Sequence, residues 1–347
     1  MKVVFAPFGP ESPYQSSLKS SLRELGVKVV PVNKGLFTFL KNRDWLQADI
    51  IHFHWIEFYV GSPHFLKALF KMILLLSGLA ILKRKKFVWT AHNFWSHENQ
   101  HPKLERWFLR RFLAFQQAIS VHNQYTRDRL ANEFGVDSQK IHVIPHANFL
   151  GYYPSFKNDL SYFKKEVFGH SETKFTFGFL GKIRPYKGVM NIIESFKKLS
   201  LPNKQLLICG QVKYPEDALD LEAAVSGYED IILKLGYVDE KEMEAYLQII
   251  DVMIYPYRSI VTSGSLLLGM THRKLCLVSE VGSMSEFIDS RYRFVGSEQL
   301  TQKMAEVMQM SPVEIDLEGD RNYAWIQDDT WDRMALKTQE MYDDIRA

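Results

Sequence analysis

The stretch 175–193 reads FTFGFLGKIRPYKGVMNII and sets three cations, Lys182, Arg184 and Lys187, between Gly181 and Gly188. A short apolar run ending at Gly181, a cationic turn and a helical pattern from Val189 onward make an anion cradle. Glycine lets backbone approach a ligand, a helix start offers unpaired N–H groups, and a guanidinium can grip two phosphate oxygens. The spacing is not that of a P-loop, which needs a four-residue gap and a Ser or Thr for magnesium, and no G-x-G-x-x-G occurs here. A basic, solvated strand-to-helix turn would read the same way.

A second anion site is expected in 257–273, YRSIVTSGSLLLGMTHR, where Thr262, Ser263 and Gly264 cap a helix continuing through Met270. Glu286, in VGSMSEFI, stands at another such turn. A carboxylate there accepts hydrogen bonds from vicinal hydroxyls, or merely complements a helix dipole. No D-x-D occurs, so a diphosphate is expected to be held by Arg, Lys and helix starts, with no metal.

Histidines form the third group. His92 ends the FVWT strand as TAHN, where an imidazole can bond a sugar hydroxyl, support developing charge, or be satisfied by backbone. His52 and His54 alternate in IIHFHW and so share one face of a strand end; no third metal ligand is evident, and they read as a cleft wall. The run HENQH at 97–101 spells the H-E-x-x-H of zinc sites. Pro102 pushes residue 101 out of the helical region, so His101 reads instead as the cap of a helix with Pro102 in its first turn.

These residues need a frame. Strand patterns at 2–6, 27–32, 50–53, 87–90, 117–121 and 142–144, and again at 175–180, 205–209, 231–235, 252–255, 275–278 and 292–295, alternate with helical stretches. Such alternation demands crossovers, hence parallel sheets covered by helices on both faces. The fold class is α/β, with two Rossmann-like doubly wound domains facing across a cleft. The expected domains are 1–154 and 172–324, joined by 155–171, with 325–347 (Trp325, Trp331, Met334) returning to the first domain. Ligands of open parallel sheets sit beyond the carboxyl ends of the strands. That rule selects the loops carrying Gly9, Tyr14, His54, Trp55 and His146 in the first half, and Gly181, Lys182, Gly210, Tyr237, Thr262 and Glu286 in the second.

The 347 residues, 46% hydrophobic and 24% charged, suit two folded domains rather than one. Both cysteines lie in apolar runs and no secretory signal opens the chain, which point to a reduced, cytoplasmic setting. A net charge of +3 does not imply nucleic acid. Residues 65–82, FLKALFKMILLLSGLAIL, run into Lys83, Arg84, Lys85 and Lys86. The uninterrupted apolar part is too short for a bilayer, which needs about 20 residues. An interfacial helix whose basic cluster meets anionic headgroups on the inner face of the plasma membrane is one reading, and a buried helix with an exposed turn the other.

In order along the chain, PESPYQSSL, ADIIHFHW, VWTAHNFWSHE, VHNQYTRDRL, KIHVIPHANFLGYYP, FGFLGKIRPYKGV, LGYVDEKEMEAYLQIIDVMIYPY and SGSLLLGM resemble a GT-B glycosyltransferase, most closely the retaining family 4. The resemblance implies an acceptor-binding first domain and a nucleotide-sugar-binding second one. It matches Arg184 and Lys187 to a diphosphate-binding pair, Ser263 and Gly264 to a phosphate-binding helix start, and His92 to a histidine beside the donor sugar. Gly181, Lys182, Gly210, Tyr237, Thr262 and Glu286 would join the donor site; Gly9, Tyr14, His54, Trp55 and His146 the acceptor site. Where members carry two glutamates eight positions apart, this chain has Ile260 and Leu268, which leaves their sugar and ribose contacts to Glu286. The implied reaction moves a hexose from a nucleotide-diphosphate sugar to a glycan or polyprenyl-linked acceptor with retention, without metal or further cofactor. A nucleotide-sugar epimerase and a non-catalytic nucleotide- or glycan-binding module are the competing readings.

Overall fold

The computed structural model describes residues 1–9, 12–33, 35–94, 101–170 and 172–347. Among them, twelve strands form two six-stranded parallel sheets. The first holds β1 (Lys2–Phe8), β2 (Lys28–Asn33), β3 (Ile50–Phe53), β4 (Lys86–Thr90), β5 (Ala118–Val121) and β6 (Ile141–Val143), ordered β2-β1-β3-β4-β5-β6. The second holds β7 (Phe175–Leu180), β8 (Lys204–Gly210), β9 (Ile231–Leu235), β10 (Val252–Tyr255), β11 (Leu275–Ser279) and β12 (Arg293–Phe294), ordered β12-β11-β10-β7-β8-β9.

These are two Rossmann-like domains. Strand order reverses at β1 in one sheet and at β7 in the other, and such a switch opens a crevice at the strand ends. The central strands are near-continuous apolar runs because helices cover both faces. VMIY of β10 and LCLVS of β11 are wholly buried. Observed strands agree with the sequence pattern to within a residue or two; β12 shortens to two residues.

The chain packs as two compact units, 1–147 with 329–347, and 148–328. Residues 148–153 pack within the second unit: Phe149 N–H donates to Thr271 Oγ1 at 3.1 Å, and Asn148 Nδ2 to the Ile326 carbonyl at 2.9 Å. The C-terminal helix Trp331–Asp344 packs on the first unit. Its Met334, Ala335, Met341 and Tyr342 repeat at helical spacing and join Val3, Phe5, Leu18, Leu22 and Val27 in one core. Each large side chain so buried contributes about 1.5–3 kcal/mol.

The helix Phe65–Ile81 divides into two faces. Ala68, Met72, Leu75 and Leu79 are buried, whereas Leu66, Phe70, Ile73 and Ile81 are 77, 58, 48 and 81% exposed. Among the described residues, no helix is long and apolar enough to cross a membrane. Of the basic cluster, Lys83, Arg84 and Lys86 are exposed. Lys85 is not part of that surface: its Nζ donates to the carbonyls of Leu46 and Ala48 at 2.7 and 2.9 Å and ties the turn after the helix to the segment leading into β3.

Candidate active site

The cradle at the end of β7 is built by backbone contact. Gly210, closing β8 with φ +148°, lies so near that a Cβ on it would stand 1.9 Å from the Gly181 carbonyl oxygen. Gly188, at φ +66°, passes from the 3-10 turn Pro185–Lys187 to the helix Val189–Lys198, with room for a Cβ blocked at 2.2 Å by the Pro256 carbonyl. Only glycine fits either place. Arg258 N–H donates to the Tyr186 carbonyl at 2.7 Å and fastens the turn to the segment after β10.

The turn drives Lys187 inward. Its side chain is 8% exposed, with Nζ 3.4 Å from Ser265 Oγ and over the rings of Tyr257 and Phe179, 5.3 and 5.8 Å from their centroids. Among the described residues no carboxylate pairs with it. Burial lowers its pKa below the ordinary lysine value, Tyr186 opposing and Arg184 adding to that shift. A buried cation without a counter-ion is expensive unless an anion completes it. Ser265 belongs to the first turn of the helix Gly264–Thr271, whose N-cap Ser263 accepts from Leu266 N–H at 3.1 Å. The expected cap is present, and the first N–H groups of that helix have no intrahelical partner.

Arg184 takes a different course from Lys187. Its guanidinium donates to the carbonyls of Ile183 and Gln211 at 2.6 and 3.4 Å, and it lines a 160 Å³ cavity with Asp217, Asp220 and Arg258. The two cations expected to share one diphosphate are thus anchored on different partners. Lys182 is exposed, Tyr237 is 77% exposed, and Glu286 is exposed on the four-residue helix Met284–Phe287. Thr262 is half-buried. Ile260 and Leu268 supply no carboxylate, and Leu268 is buried. Ser265 was not singled out by the sequence pattern; its place two residues after the cap was the available signal.

In the first unit, the carboxyl ends of β3 to β6 gather four histidines around Tyr14, with a fifth, His52, behind them. Ring centroids of His54, His92, His122 and His146 lie 5.9, 4.6, 5.3 and 5.1 Å from that of Tyr14. His52 stacks on His54 at 4.4 Å. Both nitrogens of His52 are engaged, Nδ1 with the Tyr342 hydroxyl at 2.5 Å and Nε2 with Thr90 Oγ1 at 2.7 Å, which leaves no lone pair for a metal. His54 is 1% exposed, so the expected cleft-wall residue meets His92 rather than solvent. Burial, reinforced by neighbouring imidazoles, pushes His52 and His122 down to about 3, His54 and His92 well below the usual value, and His146 to about 4 by burial. The cluster is neutral at pH 7.

Three further residues of this end follow. Gln15, fully buried, accepts from Gly9 N–H at 2.8 Å and donates to the Pro7 carbonyl at 2.9 Å, which fixes the first loop. His146 is half-buried, its Nδ1 2.7 Å from the Ala147 carbonyl. Trp55 lies parallel to His92, centroids 4.0 Å apart. Residues 97–100 of the H-E-x-x-H run lie outside the described residues; His101 occupies the N-cap position of the helix Pro102–Leu113, as Pro102 requires.

Residues 3–147 match the family model for Glycosyltransferase Family 4, and residues 162–313 that for glycosyl transferases group 1. The chain belongs to the GT-B glycosyltransferases of the family 4 type. The structure of Anabaena HepE in complex with UDP and glucose superposes with TM-score 0.76 at 12% identity, over 99% of this chain and 100% of that one. Sucrose-phosphate synthase from Thermosynechococcus elongatus gives the same TM-score and identity over 99% and 98%. In sequence, this glycosyltransferase is 24% identical over 237 residues to the GDP-mannose:glycolipid 4-beta-D-mannosyltransferase of Xanthomonas campestris. That match covers 64% of this chain and 59% of the relative's length.

Proposed function

We propose that this glycosyltransferase moves a hexose from a nucleotide-diphosphate sugar to a glycan or polyprenyl-linked acceptor, with retention and without a metal, in polysaccharide or glycoconjugate synthesis. The observation that carries the reading is Lys187, a buried cation with no carboxylate partner among the described residues, directed at Ser265 in the first turn of a helix. An anion of high charge completes that arrangement, and a diphosphate fits it. Breaking the bond from the anomeric carbon to the diphosphate oxygen sends an electron pair to the diphosphate. A fixed ammonium and helix N–H groups favour that state over the ground state. The acceptor oxygen bonds the anomeric carbon on the face the diphosphate leaves, and its proton passes to a phosphate oxygen, which gives nucleoside diphosphate and glycoside. In this reading Lys182, Arg184, Gly181, Gly210, Tyr237, Thr262, Ser263, Gly264 and Glu286 serve the donor, and Gly9, Tyr14, Trp55 and His146 the acceptor.

The Xanthomonas relative is named for a GDP-mannose donor and a glycolipid acceptor, which supports a hexose donor and a lipid-linked acceptor. The exposed stripe Leu66, Phe70, Ile73 and Ile81, beside exposed Lys83, Arg84 and Lys86, supports peripheral contact with an anionic membrane on the cytoplasmic side.

The test is a panel of nucleotide sugars, first by thermal shift and then with lipid-linked acceptors, read as nucleoside diphosphate and glycosylated product. The expected result is stabilisation by one base family and stoichiometric formation of both products. Sugar rearranged without acceptor would make the chain an epimerase; binding with neither transfer nor hydrolysis would make it a binding module.

A further inference from the structure

We infer that His54 is a positioning residue for His92: it donates its Nδ1 proton to His92 Nε2, so that His92 meets its ligand as an Nδ1–H donor. The inference rests on the transferase reading of the site and deepens it. His54 Nδ1 and His92 Nε2 are 3.2 Å apart, one proton lies between them, and both rings are neutral. Two arrangements are open. If His92 donated, His54 would carry its other proton on Nε2, which is buried and has no partner among the described residues. An orphaned N–H is the rarer and costlier defect; a bare acceptor lone pair is the milder one. His54 therefore donates, and the second proton of the pair stays on His92 Nδ1.

The scaffold holds this arrangement from every side. His54 N–H donates to the Ala6 carbonyl at 3.1 Å, and its own carbonyl accepts from Trp89 Nε1 at 3.1 Å. Trp55 covers one face of His92 with planes 10° apart, and Tyr14 meets it edge-on at 86°. His92 retains 8% exposure where His54 has 1%. A neutral imidazole with Nδ1–H can donate to a sugar oxygen and cannot act as a base through that nitrogen.

Long-range 1H–15N spectra of the imidazoles, in the full chain, read the tautomer directly. The expected result is His92 protonated at Nδ1 in the parent and in His54→Asn, whose amide nitrogen replaces Nδ1, but not in His54→Ala. Turnover should fall roughly tenfold in His54→Ala at unchanged donor KM, the share of one ordinary hydrogen bond, and recover in His54→Asn. His92→Ala sets the floor. His92 protonated at Nε2 in the parent, or equal turnover of the Ala and Asn variants, overturns the inference. Absence of transfer by the parent overturns the transferase reading instead and leaves the tautomer result standing.

Discussion

Lys187 Nζ stands 3.4 Å from Ser265 Oγ, a lysine at the end of one turn aimed into the first turn of a helix 78 residues away in sequence. The pair is costly without an anion, and two opposite effects follow. Lys187→Met should raise the unfolding temperature of the ligand-free protein, because a desolvated charge is replaced by a thioether of similar length. The same change should lower turnover by roughly 10²–10³-fold, the size of one lost transition-state donor. Calorimetry without nucleotide, together with initial rates, checks both. A variant that is less stable and fully active would refute the arrangement.

Gly210 and Gly181 touch through backbone. Gly210→Ala places a Cβ 1.9 Å from the Gly181 carbonyl oxygen at φ +148°. The strand ends must part, at a cost of about 3 kcal/mol, and nucleotide-induced thermal shift should vanish. Urea titration and the thermal-shift assay measure these separately.

Acid should destabilise the first unit early. His52, His54, His92 and His122 are buried and have lowered pKa values, so they stay neutral in the folded state where the unfolded chain binds protons. Stability is complete above about pH 6.5. It falls as the pH drops toward the folded values, about 3 for His52 and His122, by about 1.4 kcal/mol per pH unit for each histidine. Urea midpoints between pH 7.5 and 5 should decline, and His122→Gln should reduce the slope by about one proton. A flat profile would contradict the burial.

The C-terminal helix completes the first unit rather than decorating it. Tyr342→Phe removes the hydroxyl at His52 Nδ1 and should cost about 1–3 kcal/mol. Deleting 329–347 strips Met334, Ala335, Met341 and Tyr342 from the core and should leave the first unit unable to fold cooperatively. Far-UV circular dichroism with urea resolves the two cases.

Membrane contact has its own test. Leu66→Ser with Phe70→Ser changes side chains that are 77 and 58% exposed, so stability should hold within about 0.5 kcal/mol. Flotation with anionic vesicles should drop several-fold, and likewise for Lys83, Arg84 and Lys86 changed to Gln. Lys85→Gln should act through stability instead, since its ammonium serves two carbonyls. Undiminished flotation of both surface variants would remove the anchor.

Much of this was legible because local pattern and burial coincide. Apolar runs such as VMIY at β10 and FTFGFL at β7 are short, bounded by turn residues and separated by helices, which compels parallel crossovers. Gly181, Lys187 and the Ser263 cap follow from spacing within a few residues. Arg184 did not, since the direction of a long flexible side chain depends on which carbonyls lie beside it, here Ile183 and Gln211. Lys85 likewise reads as one of four like charges until Leu46 and Ala48 claim it.

By itself, then, the order of residues determined the two Rossmann-like domains and the strand ends at which chemistry could occur, because period, glycine and cap signals act over short separations. Only tertiary structure decided that Lys187 meets Ser265, that Tyr342 reaches His52 across 290 positions, and that four histidines converge on Tyr14 with His52 stacked on one of them. Those meetings depend on strand order and crossover packing, which bring distant residues to one end of a sheet and remove the water that would otherwise set their protonation.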